Sequence, residues 1–376
     1  MKAYFFNYSH DVQLSSGRVM RNISRNVCSL EYALQPLAVF TAAKGDLVVV
    51  HPQMVDVCRN FYSQYNFPEI EFVSLVDIPD MPIEPWGWDI GIVNSLKKSS
   101  GIHVCLPSLQ QLDDIRSLSS RKNVSSCLAQ IRKALSGFPL CGESWFCSSE
   151  NDLQENVVFP VVLKLPWSSS GRGIKIVQSG LDVDLKAWVS HVLRTQGGLE
   201  VEPYYHKIAD WAMEFYADID GKVSFTGLSH FMTSPLLNYS GNMVASQDEL
   251  QRVWRQYMPL EIMEGVKEQL CVVLSTLVKG RYTGNLGVDM MFCKGENDEV
   301  LLHPLVEINF RRTMGQIAQQ IADRMPQYCP SWFKIIYQDS PANLRSFFED
   351  KTHGEYCLLT PLTEETRFAA YLKPIS

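Results

Sequence analysis

Glu307 and Asn309 stand two residues apart in an otherwise apolar run within residues 306–315, Val-Glu-Ile-Asn-Phe-Arg-Arg-Thr-Met-Gly. Side chains of an extended strand alternate between its faces, so the two point the same way. A carboxylate beside an amide oxygen suits a hard cation. Asp289 lies in a second apolar run, residues 286–292, and the intervening residues 293–298 contain Lys-Gly-Glu-Asn-Asp, a turn composition. The pattern predicts a β-hairpin with one acid on its first strand and an acid plus an amide on its second, a set able to hold Mg²⁺ against a polyphosphate. The alternative is a hairpin whose acids are solvated or paired with Arg311 and Arg312.

A second stretch with chemical content is residues 159–177. An apolar strand delivers Lys164, a turn of Ser168, Ser169, Ser170, Gly171, Arg172 and Gly173 follows, and a second strand leaves it. Small residues let backbone N–H groups close over phosphate oxygens while an adjacent lysine supplies charge. No Gly-Lys-Ser/Thr opens a helix here, so this is not a Walker A loop, and an ordinary turn remains the alternative. Further on, residues 199–205 and 209–216 read as antiparallel strands. Residues 234–246 read as a long polar loop able to close over a ligand, with Asn242 as a candidate substrate contact.

The elements that must position these residues begin with an α/β segment. Residues 1 to about 115 alternate short β-rich runs with helix-length stretches, including residues 29–43 and 55–65, which indicates βαβ units around a small parallel sheet. No Gly-x-Gly-x-x-Gly follows the first strand, so a dinucleotide site of the Rossmann kind is not supported. The loop that does follow carries His10 and Asp11. Loops at the carboxyl ends of parallel strands are where open sheets bind ligands, which makes both residues candidate substrate contacts; capping of the next turn is the alternative. Residues 119–123, Ser-Ser-Arg-Lys-Asn, read as a domain boundary before a helix over 123–135. Residues 249–279 read as largely helical, 314–325 as a helix, and 355–359 with 367–372 as a terminal β-hairpin.

Composition bounds the function classes. The chain has 376 residues, enough for two or three subdomains, with 46% hydrophobic and 20% charged residues, an ordinary globular balance. A formal charge of −7 argues against nucleic acid or an anionic membrane as the main partner. The apolar start is too short for a signal peptide and no apolar run approaches membrane-spanning length, so a cytoplasmic location is expected. The 10 cysteines form no Cys-x-x-Cys pair and lie largely in apolar runs, as buried thiols of a reducing compartment would. No internal repeat or low-complexity tract is present.

Taken in order, the Lys164 strand, the Ser/Gly turn, Glu202-Pro203, Asp210, Gly287-Val288-Asp289 and Glu307-Ile308-Asn309-Phe310-Arg311 resemble the ATP-grasp superfamily over roughly residues 120–325. The preceding segment is similar to the domain that precedes the ATP-grasp fold. The resemblance implies an α/β N-terminal domain plus an α+β ATP-grasp fold whose two subdomains clasp ATP. Boundaries would fall at 1–118, 119–200, 201–340 and a C-terminal β-hairpin extension at 341–376. It implies that Lys164 meets the α/β-phosphates, that residues 168–173 cover them, and that the connector from Glu202 to Tyr205 reads the adenine edge. Asp210 would hold the ribose, although the superfamily more often has Glu there. Asp289, Glu307 and Asn309 would bind Mg²⁺, as a pair of ions for which Mn²⁺ can substitute, and Arg311 would face the transferred phosphate. A further basic contact is expected from Lys122, with Arg121 as its rival. Arg312, where a small residue is commoner, is a candidate for a substrate carboxylate or a surface ion pair. The implied reaction is ATP-dependent carboxylate–amine ligation through an acyl phosphate, on a small carboxylic acid and an amine or amino acid, with room for a homodimer. A phosphotransferase acting on a hydroxyl and an inactive nucleotide-binding module are the alternatives.

Overall fold

The computed structural model describes residues 1–20, 22–65, 67, 69–99, 106–168, 173–234, 238–350 and 355–375. They form two compact units, one of residues 1–112, 240–246 and 312–376, the other of residues 113–239 and 247–311.

In the first unit four three-residue strands pair in parallel, in the order Glu71–Val73, Leu47–Val49, Ala3–Phe5, Ile83–Pro85. Their residues alternate between two apolar clusters. Ala3, Leu47, Val49, Val73 and Ile83 pack with Ile92 and Leu96, whereas Val48 and Phe72 pack with Leu34, Leu37, Phe40 and Met54. Both faces are therefore covered, as a parallel sheet requires. Helices Arg25–Leu34, Val55–Tyr62 and Ile90–Lys98 supply the cover. The helix expected over 29–43 ends at Leu34 and continues as a 3₁₀ segment, Gln35–Phe40. Pro36, in the first turn of that segment, has no N–H to carry on the α-helical ladder.

The chain returns to this unit late. Strand Ser331–Tyr337 pairs antiparallel with Phe368–Pro374, which pairs in turn with Cys357–Leu358, so the expected terminal hairpin forms. Residues 234–246 correct an expectation: instead of a ligand-covering loop, Tyr239–Val244 is a strand whose Gly241 faces Lys334 in antiparallel register. Gly241 has a φ of 157° and an added Cβ would lie 2.5 Å from the Phe333 carbonyl oxygen, so the approach of the two backbones needs a glycine. The compact units also cut the chain differently from the expected boundaries, because residues 312–376 pack with the N-terminal segment.

The second unit holds a four-stranded antiparallel sheet and four neighbouring strands of an eight-stranded one. One runs Trp145–Cys147, Leu199–Pro203, Val161–Lys164, Ile174–Val177, and the other includes Val300–Asn309, Gly284–Lys294, His206–Ala217 and Val223–Thr233 as neighbours in that order. Helices Lys122–Ala134, Val183–Gln196 and Leu260–Val278 accompany them. The smaller sheet packs Val161, Leu163, Val177 and Val201 against Val189 and Val192. The expected α/β domain plus α+β fold is thus the observed architecture. Among the described residues no helix is long and apolar enough to cross a membrane. The described cysteines are free thiols, five of them buried, with Cys28 exposed; Cys105 lies outside the described residues.

Candidate nucleotide and metal site

The opening hairpin forms as its composition predicts. Gly284–Lys294 and Val300–Asn309 pair antiparallel, with Asp289 opposite Glu307 and Gly287 opposite Asn309. A register shift between Asp289 and Met291 gives the partner strand two extra residues between His303 and Glu307, just beside the acids. The Asn309 amide nitrogen donates to Asp289 Oδ2 at 3.4 Å. Asp289 is pushed up to about 7, first by withdrawal from water and then by Glu307, with Arg311 pulling the other way.

Lys164 ends its strand directly opposite Glu200, with Glu202 two residues along the same partner. Its ammonium lies 2.6 Å from Glu202 Oε1 and 3.9 Å from Glu200 Oε2. All three side chains are buried. The expected Glu202 carboxylate therefore already has a cationic partner. Glu200 was not singled out by sequence reasoning, yet its spacing from Glu202, two residues on one strand, was the available signal.

Arg121 joins these groups to the hairpin. Its Nη2 donates to Glu307 Oε1 at 2.6 Å, and its Nη1 donates to the Leu165 carbonyl and to Ser168 Oγ, both at 2.7 Å. Its own N–H reaches the Pro166 carbonyl at 3.1 Å, and its Nε lies 4.0 Å from Glu200. Burial would lower the guanidinium pKa, but Glu307, Glu200 and Glu202 outweigh that and raise it. Lys122, the basic residue preferred above, is exposed and its ammonium sits 5.7 Å from the centre of the Phe146 ring. Of the two neighbours, Arg121 is the one in the carboxylate cluster.

The remaining expected contacts are arranged around this core. Leu165 N–H bonds to the Gly173 carbonyl at 2.9 Å, closing the hairpin from which Ser168 and Gly173 project, and Gly173 adopts a φ of 79°. Ser169, Ser170 and Gly171 lie outside the described residues. Tyr205 meets the His303 ring edge-on at 5.4 Å. His303 shares a strand face with Glu307, is fully buried, and is driven down to about 3 by burial and by Lys164, so its ring is neutral. Asp210 Oδ2 accepts from Lys207 at 2.7 Å and from Thr233 Oγ1 at 2.9 Å. Among the described residues no group of three or more His, Cys, Asp or Glu is placed to hold a metal ion; the expected set is two carboxylates and an amide.

The four substrate candidates belong to the first unit. His10, 1% exposed, bonds through Nδ1 to Asp89 at 3.2 Å, which Asn7 also reaches at 2.9 Å. Asp11 sits in the first turn of helix His10–Ser16. Asn242 is buried on strand Tyr239–Val244. Arg312 is paired with Glu84, with its guanidinium 5.9 Å from the Tyr4 ring centre. Of its two expected roles, the geometry favours the ion pair.

The buried acids have a consequence for pH. Glu200 is pushed up from 4.5 to about 8, chiefly by burial, with Lys164 opposing. Its folded form therefore keeps a proton that the unfolded chain has lost, so Glu200 contributes stability at low pH that is lost as pH rises through about 8. Denaturant midpoints measured from acid to mildly alkaline pH should show Glu200→Gln gaining on the native chain by at most about 1.4 kcal/mol per pH unit across that window. A difference between the two proteins that does not change with pH would refute the shift.

No protein-family model matches the sequence, and a comparison with curated proteins gives no match. Solved structures do match over the full length. N5-carboxyaminoimidazole synthetase from Staphylococcus aureus complexed with ADP has 12% identity and a TM-score of 0.48, covering 100% of this chain and 93% of that one. A candidate ATP-grasp superfamily protein from Archaeoglobus fulgidus has 12% identity and a TM-score of 0.45, with 100% of both chains covered. The biotin carboxylase domain dimer of Hydrogenobacter thermophilus 2-oxoglutarate carboxylase, in complex with MgADP, ADP and bicarbonate, has 11% identity and a TM-score of 0.49, covering 99% and 85%.

Proposed function

We propose that this chain is an ATP-grasp enzyme, an ATP- and Mg²⁺-dependent ligase that activates a substrate carboxylate as an acyl phosphate and joins it to an amine. The observation that carries this reading is the run of contacts in which Lys164 and Arg121 share Glu200, Arg121 pairs with Glu307, and Glu307 and Arg311 act on Asp289. Phosphoryl transfer asks for positioned charge more than for covalent help from the protein.

Asp289, Glu307 and Asn309 would hold the divalent ion. Two carboxylates and an amide oxygen are hard donors, and the mutual repulsion that raises Asp289 is relieved by a cation between the acids. The Asn309 amide presents its nitrogen to Asp289, and turning it over presents its oxygen instead. When bound, Mg²⁺ supplies neutralisation of the charge on the β- and γ-phosphate oxygens.

The chain's own groups do the rest. Lys164 and Arg121 hold phosphate oxygens, exchanging carboxylate partners for phosphate. Arg121, through Ser168 and the Leu165 carbonyl, fixes the base of the turn that would cover them. Tyr205 and the backbone after Glu202 flank the base, and Asp210 accepts from the ribose hydroxyls. Arg311 steadies the phosphate as the substrate carboxylate oxygen attacks it and ADP leaves. The amine then attacks the acyl carbon and phosphate departs, so the products are an amide, ADP and phosphate.

The test is release of ADP by the full chain with ATP, Mg²⁺ and pooled carboxylic acids, with and without pooled amines, followed by mass spectrometry. An amide that requires both pools is the expected product. A phosphorylated hydroxyl compound without amide would replace this reading with a phosphotransferase.

A further inference from the structure

The parallel sheet of the first unit has Ala3–Phe5 between Leu47–Val49 and Ile83–Pro85, so successive connections leave it on opposite sides. Open sheets bind ligands outside the carboxyl ends of their strands at such a reversal. A cavity of about 420 Å³ lies instead beside the segments that follow the first two strands, lined in part by Ser9, which follows Ala3–Phe5, and His51, which follows Leu47–Val49. Its volume is that of a small-molecule site. None of the residues assigned above to nucleotide, metal or substrate lines it.

The charge of the lining is one-sided. Glu31 and Glu365 face the space, and among the described residues no lysine or arginine does. Ser9 N–H donates to Glu31 Oε2 at 2.9 Å, which holds that half-buried carboxylate in place. Burial raises its carboxyl, the mark of an acid short of positive partners. Tyr32 lines the same space as Glu365 and gives it an aromatic wall. His51 also lines the space, with its Nδ1 accepting from the Gln53 N–H at 3.4 Å. An anion would meet two carboxylates here. Beside the acids the wall is apolar, formed in part by Ile23 and Tyr32.

We propose that this cavity is a second small-molecule site and that its ligand is a primary ammonium with an apolar stem. Glu31 and Glu365 take the ammonium, and Tyr32 and Ile23 take the stem. The site is built from the first unit alone and stands whether or not the nucleotide reading holds.

The test is calorimetric titration of the full chain with benzylamine and n-butylamine, using benzyl alcohol and benzoate as neutral and anionic counterparts. Both amines should saturate at millimolar concentrations or below, with benzyl alcohol at least about tenfold weaker and benzoate silent. Glu31→Gln and Glu365→Gln should each weaken amine binding roughly tenfold, the loss of one charge-assisted hydrogen bond, while leaving ATP binding unchanged. Glu365 is exposed, so its variant serves if Glu31→Gln does not fold. Equal binding of benzyl alcohol, amine binding indifferent to both substitutions, or no saturation by about 20 mM would overturn the proposal.

Discussion

Arg121→Ala should destabilise the protein by about 3–5 kcal/mol, the cost of leaving buried carboxylates without their partner. Arg121 is 4% exposed and joins Glu307, Ser168 and the Leu165 carbonyl, with Glu200 beyond them. Removing it takes the 2.6 Å donor from Glu307 and leaves the Leu165 carbonyl and Ser168 Oγ without theirs. Lys122→Ala is the matched control, and at an exposed position it should change stability by less than about 0.5 kcal/mol. Urea denaturation of both variants decides the matter. A cost below about 1 kcal/mol for Arg121→Ala, or equal costs for the two, would show that Arg121 is not the centre of the cluster.

The second large effect concerns function. Glu307→Gln combined with Asn309→Ala should weaken binding of Mn²⁺-ATP at least about 100-fold, about 2.7 kcal/mol, by removing a charge and an oxygen donor from the metal set. Glutamine at 307 keeps an acceptor for Arg121, so the fold should survive, and a circular dichroism spectrum and melting curve verify that. Titrating the variant with ATP and Mn²⁺, and with ATP alone, separates the metal from the nucleotide. If metal-dependent binding were unchanged, the assignment of Asp289, Glu307 and Asn309 as ligands would be wrong. If ATP failed to bind the native chain at all, the whole reading of this cluster as a nucleotide site would fall, and the amine cavity of the first unit would remain to be judged on its own titrations.

The two halves of this site differed in how far they could be read without a structure. The hairpin of Asp289, Glu307 and Asn309 was legible because its signals are local. Alternation fixes the face, the run Lys-Gly-Glu-Asn-Asp fixes the turn, and antiparallel pairing then sets Asp289 opposite Glu307. The Lys164 strand and the strand that pairs with it were legible for the same reason, as was the small parallel sheet.

What escaped were choices made between distant segments. Arg121 and Lys122 are neighbours of like charge, and only the docking of residue 121 on residue 307, 186 positions away, selects the first. Glu200 and Glu202 look like any alternating pair until Lys164 is laid across both. Arg312 was open to a substrate carboxylate or an ion pair until Glu84 met it, and the polar stretch 234–246 looked like a loop until Ser331–Tyr337 supplied a strand for Tyr239–Val244 to pair with. The sequence by itself determined the elements, their faces and the residue types able to hold a metal and a polyphosphate, because alternation and turn chemistry act over a few residues. The tertiary structure alone decided which charges are partnered, since that depends on which distant side chains share a space closed to water.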